Sequence, residues 1–212
     1  MIINYIRYLL YIVIAVTISV AHAGAYEDFF LAVNRDDGDT VRSLVQRGFD
    51  PNSRNPQGQT ALHLVLRDQS WRVAQALWTS TALDVNAVNG SGETPLMMAA
   101  LRGDFDWAQR LIDRGAKVHK DGWSPLHYAA TGPEPKIVAL LLDRGAPIDA
   151  PSPNRSTPLM MAARYGAEAN VDLLLARGAD LRLRNDLDLD AADFAKLGAR
   201  EFLLPRLAPK PR

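Results

Sequence analysis

Histidine is the first place to look for chemistry in this chain of 212 residues, because its side chain moves protons and holds metals near neutral pH. Four are present, His22, His63, His119 and His127. Two of them close related tetrapeptides, Thr60-Ala61-Leu62-His63 and Ser124-Pro125-Leu126-His127. Two further copies, Thr94-Pro95-Leu96-Met97 and Thr157-Pro158-Leu159-Met160, carry Met in the same place. A shared catalytic or metal-binding role does not survive that exchange, so the position reads as structural. His119 stands alone, without a second ligand to complete a site. The acidic groups Asp36-Asp37-Gly38-Asp39 and Asp186, Asp188, Asp190 and Asp193 lack the alternating register and distal Glu of a calcium loop.

Other catalytic equipment is missing as well. The absence of Cys excludes disulfides, thiolate metal sites, a Cys nucleophile and a lipid anchor on Cys. There is no phosphate-binding glycine loop, H-E-x-x-H or G-x-S-x-G segment. The sequence therefore predicts no cofactor, no metal and no enzyme. Twenty-four basic and 24 acidic residues balance, which leaves no basic footprint for nucleic acid. With 48% hydrophobic and 23% charged residues, the composition is that of a folded protein rather than a disordered one.

What the tetrapeptides do is set a period. Their first residues are 34, 30 and 33 positions apart. Weaker copies start at Glu27 and Asp190, each 33 residues from its neighbour. Small residues follow every start, among them Ala32, Ala99-Ala100, Ala129-Ala130, Ala162-Ala163 and Ala195. A glycine falls 21 residues after four of the starts, at Gly48, Gly115, Gly145 and Gly178, each preceded by Arg.

Each recurring residue has a local reason. Thr60, Thr94, Ser124 and Thr157 suit a helix N-cap, where a side-chain oxygen accepts an otherwise unpaired N–H. Proline fits the first helical turn. The alanines let a second helix approach, and Leu111-Ile112, Leu140-Leu141-Leu142 and Leu173-Leu174-Leu175 give that helix an apolar face. Gly115, Gly145 and Gly178 then supply the left-handed conformation that ends it. The first acidic cluster opens a second helix, where carboxylates complement the dipole, and Asp190 takes the last cap position. One such unit cannot bury its own apolar face, so neighbours must stack.

The pattern resembles the ankyrin repeat, in several copies in phase, over nearly everything after Ala25. The resemblance implies a mainly α solenoid of stacked helix-turn-helix units joined by β-hairpin-like finger loops. It also implies that His63 and His127 bond locally to the capping Thr or Ser and brace the turn. About six repeats then occupy residues 24–207, the first and last acting as degenerate caps, with a flexible tail at 208–212. Some departures are informative. Thr81-Ala82 replaces Gly-Ala, so the second helix before it should end less cleanly. The finger from Lys117 to Trp123 is short, and two prolines in Thr131-Gly132-Pro133-Glu134-Pro135 stiffen a turn.

Residues 1–23 read as an address. Tyr8 to Val20 is an uncharged apolar stretch of thirteen residues after Arg7, and Ala21-His22-Ala23 matches a signal-peptidase site. The run falls short of the roughly 20 residues of a spanning helix. Cleavage after Ala23 would leave a net charge of −1, because Arg7 is the one charged residue lost. An exported, thiol-free protein suits an oxidising compartment such as a bacterial periplasm. The alternative is an uncleaved segment anchoring the protein in the inner membrane. Asn89-Gly90-Ser91 and Asn154-Arg155-Ser156 match a glycosylation pattern but read as turns.

Among the tryptophans, Trp78 and Trp107 are expected in the core and Trp71 half exposed. Trp123, just before a cap, either meets a partner or packs on the neighbouring finger. A solenoid offers a concave surface, here Gln59, Arg67, Arg102, Trp123, Arg155, Arg164 and Tyr165, rich in the Arg, Trp and Tyr that anchor interfaces. The expected activity is binding of a protein of unknown identity by a monomer, with a membrane involved only if the leader is retained. Family resemblance suggests an adaptor or supporting factor for a periplasmic protein, or alternatively an immunity protein against a secreted toxin, or a membrane-anchored scaffold.

Overall fold

The computed structural model describes residues 24–208. The expected leader at 1–23 and, beyond Ala208, the expected tail lie outside the described residues. Contacts gather the chain into two units. Unit one runs to Pro56 and resumes over Thr60–Leu83; unit two holds Gln57–Gln59 and everything from Asp84 onward.

Unit one contains α1 (24–34), α2 (Gly38–Gln46), α3 (Ala61–Asp68) and α4 (Trp71–Trp78). Phe29, Val41, Leu62, Leu66 and Leu77 are fully buried in it. Asp37 caps α2, accepting the Thr40 N–H at 3.1 Å and its hydroxyl at 2.7 Å. Those bonds hold the Asp37 carboxyl below its ordinary range. Asp36 serves the neighbouring pair instead, accepting the Val73 N–H at 2.8 Å at the start of α4. As Thr81-Ala82 suggested, α4 ends without a left-handed residue. Its C-cap Thr79 stays right-handed and donates its hydroxyl to the Ala76 carbonyl at 2.7 Å.

Unit two contains α5 (Pro95–Arg102), α6 (Phe105–Asp113), α7 (Pro125–Thr131), α8 (Pro135–Asp143), α9 (Pro158–Tyr165), α10 (Glu168–Ala176), α11 (Ala191–Leu197) and α12 (Leu204–Leu207). The first helices α5, α7, α9 and α11 pack in one row, and α6, α8 and α10 in a second row behind. Leu96, Leu126 and Leu159, the Leu of each tetrapeptide, are 0–1% exposed, and burial of such a side chain stabilises by about 2 kcal/mol. A 3-10 turn at Glu201–Leu203 and α12 close the stack, burying Leu203 and Leu207. Arg206 pins this end to Glu168 and Asp172.

The second helices stop as expected. At Gly115, φ is 94°, its N–H donates to the Ile112 carbonyl, and the Ala116 N–H reaches back to Leu111. This is the paired bonding of a Schellman motif, and Gly145 and Gly178 repeat it. The fingertips are hairpin-like as expected, closed by the N–H of Asn89, Ser152 and Asn185 donating to the carbonyls of Glu93, Ser156 and Leu189, without extending into strands. Among the described residues there is no strand, and one isolated bridge joins Arg54 and Thr60. The finger is too short for a ladder, and side chains do the linking: Asn86 donates to the Gly115 carbonyl and accepts the Lys117 N–H.

A second kind of glycine carries no turn signal in the sequence. Gly132, Gly166 and Gly198 follow the first helices at negative φ. A Cβ there would strike the backbone carbonyls of Ala100, Ala130 and Arg164 respectively. Close approach between first helices, rather than turn geometry, requires them. Asn170, fully buried, reinforces the same seam by donating to the carbonyls of Ala129, Ala130 and Gly132 at 2.8–3.2 Å.

Candidate functional site

The site begins at the helix caps, because these fix where the finger meets the first helix. Thr94 and Thr157 accept the N–H of Met97 and Met160 at 3.4 Å, and the Met sulfurs face the cap N–H in return. In the His copies the hydroxyl turns to the imidazole: Ser124 Oγ lies 2.9 Å from His127 Nδ1, and Thr60 Oγ1 lies 2.8 Å from His63 Nδ1. The Ser124 N–H also donates to His127 Nδ1 at 3.2 Å. A backbone N–H can only donate, so Nδ1 is the acceptor and Nε2 carries the proton. Nε2 is 3.0 Å from the Ser156 carbonyl of the following finger. Burial holds His127 in its neutral form and lowers its pKa to about 4. The local bracing expected of this His is present, with a tie to the next repeat added.

Just before Ser124 sits Trp123, half-buried, its ring edge-on to His127 with centroids 5.3 Å apart. Trp123 and Met161 together divide two apolar hollows of about 220 Å³ each. On one side lie Leu101, Tyr128 and Thr131. The Tyr128 hydroxyl donates to Glu93 Oε1 at 2.8 Å, which leaves the ring to face the hollow. Burial first, then that carboxylate, pushes the phenol pKa well up. On the other side lie Arg164, Tyr165, Leu187 and Leu197. Tyr165, Leu187 and Leu197 are 54%, 73% and 53% exposed. Arg164 rests over the Tyr165 ring, 4.9 Å from its centroid.

The fingertips share one geometry. The residue two before each cap is left-handed: Gly58, Gly92 and Gly122 in three copies, Arg155 (φ 61°) and Asp188 (φ 57°) in the others. Around Arg155 the tip is closed by Ser152 donating to the Ser156 carbonyl at 2.9 Å and Arg155 donating to the Ser152 carbonyl at 2.8 Å. Asn89 is buried and bonded to Glu93, so the turn reading of that pattern fits its structure; Asn154 likewise accepts bonds from Ser152 and Ser156.

Of the residues picked from sequence, Trp123, Arg164 and Tyr165 line one hollow together. Arg155 is exposed between the lining residues Asn154 and Ser156, and Arg102 is exposed beside Leu101. Gln59 is half-buried in the fingertip before Thr60. Arg67 belongs to unit one and forks onto Asp68 with two bonds of 2.8 Å. Trp107 is buried as expected. Trp78 is half-buried rather than core, at the C-terminal end of α4 where the chain turns out. Met161, Leu187 and Leu197 were missed. Leu187 could have been found as an apolar residue inside the otherwise polar tip Asn185-Asp186-Leu187-Asp188.

A family model described as ankyrin repeats, in three copies, matches residues 29–121 and 117–185. The chain is 35% identical over 154 residues to the B-cell lymphoma 3 protein homolog of Mus musculus, covering 69% of this chain and 34% of that protein. It is 28% identical over 169 residues to Protein glp-1 of Caenorhabditis elegans, covering 72% and 13%. It is 26% identical over 161 residues to transient receptor potential cation channel subfamily A member 1 of Homo sapiens, covering 71% and 14%. The chain thus spans 13–34% of the length of these relatives.

Proposed function

The chain belongs to the ankyrin-repeat family, and on that premise we propose that it is an exported protein-binding module, an adaptor or supporting factor for a periplasmic protein. One observation carries the binding half of this reading. Tyr165, Leu187 and Leu197, all more than half exposed, gather in one hollow beside Trp123. Large apolar side chains scattered singly over a surface mean little, whereas a cluster with an Arg at its rim is the composition of an interface. The row of first helices and fingertips presents it, and the repeat stack keeps it rigid.

Export rests on the pattern of residues 1–23. Intact mass of the protein made in its native host tests it: a chain beginning at Gly24 in the soluble periplasmic fraction supports export. A membrane-pelleted chain retaining residues 1–23 defeats it in favour of the anchor. Binding is tested by capture from that fraction with the wild-type protein and with Tyr165→Ala side by side. A protein retained by the first and lost by the second, with both baits folded, supports the reading. Identical captures from the two baits contradict it.

A further inference from the structure

The arginines of unit two differ in what they meet. Those along the ends of the second helices are matched to carboxylates across the stack: Arg144 with Asp113 at 3.3 Å, Arg177 with Asp143 at 2.7 Å, Arg206 with Glu168 at 3.2 Å. In the last finger Arg182 pairs with Asp180 and Arg184 with Asp188 and Asp190, but three cations around Trp123 differ. Arg102 and Arg155 are exposed and make no ion pair among the described residues. Arg164 sits on the Tyr165 ring instead of a carboxylate. The neighbouring acids are mostly engaged, Glu93 with Asn89 and Tyr128, and Asp188 with Arg184; Asp186 is exposed. Of these cations, Arg164 lines one hollow, while Arg155 lies in sequence between its lining residues Asn154 and Ser156 and Arg102 follows Leu101 of the other.

Backbone geometry at Arg155 adds a second line. A left-handed conformation is unfavourable for a side chain other than Gly, and three equivalent fingertips use Gly. Placing an Arg at that tip gives up stability for a cation that makes no ion pair among the described residues. Strain of this kind clusters at functional sites, and Arg155, unlike the left-handed Asp188 that pairs with Arg184, has no ion-pair partner among the described residues.

We propose, resting on the protein-binding reading above, that the occupant of this face is an acidic, apolar peptide segment of the partner. Two of its apolar side chains enter the hollows flanking Trp123, and Asp or Glu residues beside them meet Arg155 and Arg164. Guanidinium–carboxylate bonds of this type are charge-assisted and directional, and the apolar hollows supply the desolvated centre that makes a contact residue count.

The probe is a phage-displayed library of random 16-residue peptides, selected on the full protein. The selected peptides should carry Leu, Phe or Trp within a few positions of Asp or Glu. A synthetic copy of the most enriched one should bind at least tenfold more weakly to Arg164→Glu and lose affinity as salt rises. Asp186→Asn should leave binding unchanged or tighten it. Arg155→Ser provides a second, fold-neutral variant should Arg164→Glu melt early, and it should weaken binding severalfold. Selection of basic peptides that still depend on Tyr165 would overturn the acidic partner while leaving the protein-binding face intact. No enrichment, or binding indifferent to Arg164, Arg155 and Tyr165, would overturn both.

Discussion

His127 Nε2 donates to the carbonyl of Ser156 at 3.0 Å, joining the first helix of one repeat to the finger of the next. The same ring accepts two bonds from Ser124 at its other nitrogen. All of this requires a neutral imidazole, since protonated Nδ1 would face the Ser124 N–H donor to donor.

Stability should therefore depend on pH. His127 has a folded pKa of about 4 against an ordinary 6.5, so between those values the unfolded chain binds the extra proton. Stability contributed by this group is complete above about pH 6.5 and is lost as pH falls toward 4, by up to about 3 kcal/mol. Urea titrations from pH 7 to pH 4 measure it. His127→Met, copying Met97 and Met160, should fold and show a flatter profile over that interval, at a cost near 1 kcal/mol for the lost bond to Ser156. Equal slopes in the two proteins would sink the assignment.

Close approach at Gly166 makes a separate prediction. Gly166→Ala drives a methyl into the Ala130 carbonyl, and overpacking of this kind costs about 1–3 kcal/mol. A neighbouring glycine with open space around it, Gly178 at φ 92°, should cost Ala only the left-handed penalty of about 1 kcal/mol. Denaturant midpoints of the two variants compare them. A harmless Gly166→Ala would mean the first helices are not held at this distance.

Arg155→Gly should separate stability from binding. Relief of the left-handed strain, set against the greater freedom of unfolded Gly, should leave stability unchanged or raise it by up to about 1 kcal/mol. Affinity for the partner should fall at the same time. A thermal melt beside a titration shows both; a destabilised variant with full affinity would place Arg155 among the structural residues.

Much of this was legible from residue spacing. The period, the caps, Gly115, Gly145 and Gly178, and the structural nature of His127 all follow from local chemistry that repeats. The pairing of Trp123 with Tyr165 was readable in outline, because both lie near the start or end of adjacent first helices. The contributions of Met161, Leu187 and Leu197 were not, since the hollows exist only once three repeats stack. Gly132, Gly166 and Gly198 were hidden for a related reason: their φ values are ordinary, and only the neighbouring carbonyl explains them. Nothing in a single repeat announces that Asn170 will reach back some 40 residues to the turn at Gly132.

The most direct test of the binding face is the affinity of the captured partner for Trp123→Ala, measured beside a thermal melt of the same protein. The ring is half-buried against His127, so the folding cost should fall below the roughly 3–5 kcal/mol of a fully buried Trp→Ala, and the melt shows how much of the chain stays folded. Loss of the wall between two hollows should weaken binding by about 2 kcal/mol or more, roughly thirtyfold. Unchanged affinity, or a loss that merely follows the folded fraction, would contradict the account and leave Trp123 as a packing residue.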